Sequence, residues 1–184
     1  VSAAAHPDII ETIRTYCWAA GYEMALVPEK DGVTDMDAVK GLLAEDFCCL
    51  YAQQMSYYGV IEDCTALANT VHEGGAKFIM GVNPIAAALL KTAADCGADV
   101  AVGEGQPLGM SLAFGGPYLG FMAATDAMTR KLPGRIVGET VDGEGRRAFV
   151  LTLQAREQHI RREKASSNIC SNQALCATTA AVYM

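Results

Sequence analysis

The sequence predicts an α/β protein, a mostly parallel sheet sandwiched by helices, and three observations carry that expectation. Apolar strand-like runs alternate with helical runs from residue 1 to about residue 102, the pattern of a sheet covered on both faces. The links between them are only a few residues long, and glycines stop the helical runs at Gly21, Gly74-Gly75 and Gly97. The chain has 184 residues and 51% hydrophobic content, enough to bury a core of roughly one domain.

Residues 1–5 form a short strand candidate, and His6-Pro7-Asp8 opens a helix. Pro7 suits a first turn, and Asp8 and Glu11 complement the positive end of the helix dipole. Ile9, Ile10, Ile13, Tyr16 and Cys17 supply its apolar face. Residues 22–27 read as a strand and 28–32 as a turn, and Thr34 is the expected cap of a helix running to about Ala44. The pattern then repeats: strand 47–52, helix 60–72, strand 78–82 led by Lys77, helix 85–96, strand 98–102. Residues 103–120 hold six glycines and two prolines, too many for a helix. A strand at 119–124 and a short helix at 126–132 follow, then strands 135–141 and 147–153 around the hairpin turn Asp142-Gly143-Glu144-Gly145.

Charge divides the chain. Residues 1–129 contain five Lys/Arg against sixteen Asp/Glu, and 130–164 contain nine against five. The acidic body argues against nucleic acid as the main partner. Seven cysteines, an odd number without a CxxC, sit mostly in apolar runs. They read as buried thiols of a reducing cytoplasm rather than disulfides or a zinc site. No apolar run approaches the roughly 20 residues that span a bilayer and none reads as a signal peptide, so the expectation is a soluble intracellular protein with no membrane partner. The chain reads as a piece of a longer protein. Val1 begins without an initiator Met, and residues 174–184 are a helix-like run that stops without a cap.

The densest cationic stretch is 151–172. It places Arg156, His159, Arg161, Arg162 and Lys164 within nine residues, followed by Ser166-Ser167-Asn168. Forked Arg donors ending in hydroxyls and an amide suit an anion. Charge alone favours the alternative, a solvated segment with ion pairs to Glu157 and Glu163.

In open α/β sheets ligands gather at the carboxyl ends of the strands, which nominates residues 53–58, Asn83-Pro84 and 103–109. Tyr57 and Tyr58 either stack on a flat ligand or plug an interface. The run GEGQPLG lacks the helix that must follow a dinucleotide loop. The three histidines lack ligand spacing, so no metal is expected.

Two stretches go further: GEGQPLGMSLAFGGPYLG at 103–120 and QAREQHIRREKASSNIC at 154–170. They resemble the P-protein of the glycine cleavage system, its first subunit or first half, and PGRIVG at 133–138 fits the same family. The likeness covers essentially the whole chain. The resemblance implies a partial large domain of the fold type I pyridoxal-phosphate (aminotransferase-like) class over residues 1–184. A preceding N-terminal region and a C-terminal small domain would then be missing. It implies decarboxylation of glycine, with the aminomethyl group passed to the lipoyl arm of the H-protein by a cytoplasmic heterotetramer.

In that class the Schiff-base lysine follows the strand ending near Val102. This chain has no lysine between Lys91 and Lys131, and Gln106-Pro107 stands at the lysine's place. Residues 80–83 likewise offer no acid for the pyridine nitrogen. The expectation is a subunit with no catalytic lysine, the pyridoxal phosphate being held by a lysine-bearing partner. Arg161, Lys164, Ser166, Ser167 and Asn168 are candidates for the partner's phosphate wall or for the interface alone, two readings left open. Tyr57, Tyr58 and Gln106 are candidates for a glycine or lipoyl channel. A purely structural scaffold and a free-standing nucleotide-binding module are the alternatives.

Overall fold

The computed structural model describes residues 1–133, 136–152, 160, 162–164 and 172–184, with Lys164 described by its backbone alone. They divide into two compact units, Val1–Thr125 with Gln173–Met184, and Asp126–Asn172.

In the first unit, helix α1 (Pro7–Ala20) starts as its sequence requires: His6 Nδ1 accepts from the Asp8 N–H, and Pro7 takes the first turn. Gly21, at φ 72, closes it in the left-handed conformation that glycine adopts without strain. The expected strands on either side of α1 are reduced to one parallel bridge, Ser2 to Val27, set beside the sheet by a Ser2 N–H to Tyr51 O bond of 2.9 Å. The reason is local. Ser2 Oγ and Ser2 O accept from the Ala4 and Ala5 N–H groups and turn the chain away.

A small hairpin, β1 (Glu29–Lys30) and β2 (Val33–Thr34), leads into α2 (Met36–Leu43). The cap of α2 is Asp35 rather than Thr34: Asp35 Oδ1 takes the Asp37 and Ala38 N–H groups. Thr34 is committed elsewhere, its hydroxyl buried between Ser2 Oγ at 2.7 Å and the Glu62 carboxylate at 2.7 and 2.9 Å.

Strands β3 (Cys49–Gln54), β4 (Lys77–Val82) and β5 (Val100–Glu104) are parallel, and β6 (Gly120–Ala124) returns antiparallel along β5. Between β3 and β4, α3 (Cys64–Glu73) begins four residues later than the sequence predicts. The Gln54 side chain holds both the N–H and the C=O of Glu62, which keeps that segment extended, and Asp63 becomes the cap. The helix expected at 85–96 is instead a 3-10 turn, Ala86–Ala88, and a separate turn after Thr92. Asn83 Oδ1 captures the Ile85 and Ala86 N–H groups and Thr92 Oγ1 captures that of Asp95, so two side chains nucleate two short turns.

The core lies on one sheet face, where Leu67, Ala68 and Val71 of α3 cover Leu50, Ala52, Phe78 and Met80. Full burial of a side chain the size of Phe78 or Leu67 contributes about 1.5–3 kcal/mol. On the opposite face α1 places Ile9, Ile10 and Ile13 against Tyr51, Ile79 and Val102. Helix α4 (Gln173–Tyr183) completes this unit, with Cys176 and Ala180 buried.

The second unit contains a 3-10 helix, Asp126–Lys131, and the expected hairpin of β7 (Ile136–Val141) and β8 (Arg147–Thr152). Asp142 Oδ1 takes the Glu144 and Arg146 N–H groups, and Gly145 at φ 79 turns the corner. Among the described residues, no helix is long and apolar enough to cross a membrane.

Candidate functional site

Because β3, β4 and β5 are parallel, their carboxyl ends lie together, and a cavity of about 790 Å³ runs to them over one sheet face from Phe47, Cys48 and Cys49 at the start of β3. Its sheet floor is Tyr51, Ile79, Gly81 and Val102, an apolar surface continued by Ile9 and Ile13 of α1. The polar groups at the strand ends are Gln53, Asn83, Glu104 and Gln106.

Gly81 makes this floor possible. A Cβ there would overlap the phenol of Tyr51, so only glycine lets that ring lie across β4. Tyr51 is 7% exposed, and its hydroxyl has no hydrogen-bond partner among the described residues. Burial pushes its pKa up to about 12.

The glycine-rich run after β5 is a built turn. Glu104 Oε1 accepts from the Gln106 N–H at 3.1 Å and the Leu119 N–H at 2.6 Å, pinning both ends of the loop. Within it the Leu108 N–H reaches Gly105 O, and the Gln106 side-chain amide donates to Met110 O at 2.6 Å. Gln106 and Pro107 both line the cavity. No helix follows the glycines, and the chain runs irregularly into β6.

Of the other residues singled out from sequence, Tyr57 and Tyr58 lie past the end of β3 but do not line the cavity. Tyr57 packs edge-on against His6 and against Tyr58, and both tyrosines are more than half exposed. Arg161, Ser166, Ser167, Asn168 and the Lys164 side chain lie outside the described residues. Sequence reasoning missed Tyr51, and it nominated Glu104 only as part of the run 103–109. The signal for Tyr51 was Gly81 inside an apolar strand, which marks a close approach.

Two further carboxylates are buried near the strands. Glu62, beside the end of β3, is 5% exposed and meets the Thr34 hydroxyl and N–H. Burial raises its pKa, and the hydrogen bonds from Thr34 oppose this. At the amino ends of β4 and β5, Asp99 receives Lys77 Nζ at 2.8 Å, His72 Nε2 at 2.7 Å and the Phe78 N–H at 3.0 Å. Burial alone raises Asp99, but these donors outweigh it and hold its pKa down at about 2. Among the described residues, no group of His, Cys, Asp and Glu is arranged to hold a metal.

Three parallel strands, an antiparallel fourth and helices on the sheet faces make an open α/β fold, and the solved structures that share it place it in the aminotransferase-like class. Cysteine desulfurase from Thermococcus onnurineus NA1 shares it at TM-score 0.62 over 99% of this chain and 43% of that one, and at 15% identity the likeness is one of fold alone. A crystal structure of glycine decarboxylase (P-protein) of the glycine cleavage system, in inhibitor-bound form, matches at TM-score 0.91 and 42% identity, over 99% of this chain and 41% of that one. Two proteins named "Probable glycine dehydrogenase (decarboxylating) subunit 1", from Desulforamulus reducens and Lysinibacillus sphaericus, are 50% and 49% identical over all 184 residues. The sequence model of the glycine cleavage system P-protein matches residues 1–184, and the chain belongs to that family. It spans 41% of the length of those two relatives.

Proposed function

We propose that this chain belongs to the non-lysine subunit of the glycine decarboxylase of the glycine cleavage system. With a lysine-bearing second subunit, in the cytoplasm, that enzyme decarboxylates glycine and transfers the aminomethyl group to the lipoylated H-protein. The observation that carries the reading is the turn after β5. Gln106 and Pro107 line the cavity there, and neither can form an imine.

Pyridoxal phosphate does not fit as a covalent group of this chain. The carboxyl end of β4 offers Asn83, whose Oδ1 is committed to two backbone N–H groups, and no carboxylate to hold a pyridinium proton. Lys77, the lysine of the four-stranded sheet, lies at the opposite end of β4 and is paired to Asp99. Both observations support a cofactor held by the partner subunit.

In this reading Arg161, Lys164, Ser166, Ser167 and Asn168 supply anion donors toward the partner's cofactor phosphate, supported by their residue types. Gln106, Tyr57 and Tyr58 lie along the path of glycine or the lipoyl arm, supported by their position past the carboxyl ends of β5 and β3. A second reading, a scaffold that only orders its partner, is favoured by the commitment of the Gln106 amide to Met110 O.

Glycine–bicarbonate exchange measured with and without the lysine-bearing subunit tests the assignment. Exchange is expected only with both, and exchange by this chain alone would overturn it. Arg161→Met with Lys164→Met in the complex separates the two readings: weaker cofactor binding supports the phosphate wall, and unchanged binding and turnover leave the scaffold.

A further inference from the structure

Successive side chains of an extended strand point to opposite faces, so neighbouring thiols ordinarily diverge. At Cys48 and Cys49 they converge, with Sγ to Sγ at 3.8 Å. The cause is in the backbone. Cys48 sits in the bend before β3, two residues after Asp46 in the left-handed region at φ 64, and Cys49 is the first residue of β3. Cys48 is exposed and Cys49 half-buried, and both line the cavity wall, as does Cys17.

We propose that Cys48 and Cys49 form a redox modification site, closed to a vicinal disulfide by two-electron oxidants of the peroxide class. The exposed Cys48 is the thiol an oxidant reaches first. Its thiolate sulfur attacks one peroxide oxygen, the O–O bond breaks, hydroxide leaves and a sulfenic acid forms. The Cys49 sulfur then attacks the Cys48 sulfur, the S–O bond breaks and water leaves. In total, two thiols and one hydrogen peroxide become one disulfide and two waters. Burial, reinforced by the Cys48 thiol beside it, pushes the Cys49 pKa up to about 11, which suits the resolving partner rather than the first nucleophile.

The product would be easily reversed. Adjacent Cα atoms stand about 3.8 Å apart, below the roughly 4.4 Å at which ordinary disulfides begin. Strained bonds of that kind have the more oxidising potentials of labile, regulatory pairs. Closing the ring also has a structural address. The peptide it twists is the one whose carbonyl, Cys48 O, accepts the Lys77 N–H at 2.9 Å, the bond that opens the β3–β4 ladder.

The test is a peptide map of the intact subunit in its complex after brief hydrogen peroxide treatment, with alkylation before and after dithiothreitol. Cleavage at Glu45 and Glu62 isolates Cys48 and Cys49 from all other cysteines. That peptide is expected to lose two hydrogens and to take up alkylating reagent only after reduction. The Lys77 amide is expected to exchange about tenfold faster in the oxidised protein. Cys49→Ser should stop the reaction at a Cys48 sulfenic acid that dimedone traps, and Cys17→Ser should leave the closure intact. Two free thiols in that peptide after treatment, or a bridge from Cys49 to Cys17, would overturn the proposal. The readout is a mass, independent of turnover.

Discussion

At the amino ends of β4 and β5 one carboxylate, Asp99, is surrounded by three donors, from Lys77, His72 and Phe78. The carboxyl ends of β3, β4 and β5 present instead Gln53, Asn83, Glu104 and Gln106 along the cavity, with a buried phenol that has no described partner. The first end has its charge compensated and closed; the second has polar groups and space. In a parallel sheet that asymmetry separates what holds the strands together from what meets a ligand. It also places the sheet's lysine at the end where no ligand is expected.

The comparison is broken most easily at the closed end. Asp99→Ala leaves three donors without their acceptor and is expected to cost roughly 2–4 kcal/mol in denaturant titration. The pH dependence has a definite sign. Its donors hold the folded Asp99 pKa down at about 2 against the usual 3.8, so its contribution is present above pH 3.8 and lost as pH falls toward 2. Stability that is flat over that window, or unchanged in Asp99→Ala, would remove the distinction between the two ends.

At the open end, Gly81→Ala forces a methyl into the Tyr51 ring and is expected to cost about 1–3 kcal/mol. Tyr51→Phe alone removes a hydroxyl without a described partner and should be neutral or slightly stabilising. In the double variant the cost of Gly81→Ala should fall, because the phenol oxygen is the atom nearest the added Cβ. A loss of 1 kcal/mol or more from Tyr51→Phe would mean that the hydroxyl has a partner after all.

The smallest effect concerns Glu62. Burial holds its folded pKa above the usual 4.5, so the folded state binds the extra proton and stability falls as pH rises through 4.5 to the raised value. Glu62→Gln should flatten that slope with a net change of about 1 kcal/mol or less at neutral pH. A loss several times larger would show the ionised carboxylate to be compensated as Asp99 is.

Sequence and structure agree where a local signal has no competing polar partner. Pro7, Gly21 and the Asp142–Gly145 turn act within a few residues, and the elements they bound stand where expected. Thr34 and residues 85–96 departed from expectation because distant or competing polar partners decide them. The Thr34 hydroxyl answers to Ser2 and Glu62, and Asn83 and Thr92 divide one helix into two turns. At the site, the alternation of strands located the turn at 103–109, and the family resemblance singled out Gln106-Pro107 within it. Tyr51 was not, because its place depends on a glycine thirty residues away in sequence.

The central claim is tested most directly by reducing the complete complex with borohydride in the presence of pyridoxal phosphate and mapping the pyridoxyl-lysine by mass spectrometry. All of the label is expected on the partner subunit, with Lys77 and every other lysine of this chain unmodified. Pyridoxyl on any lysine of this chain would contradict the account.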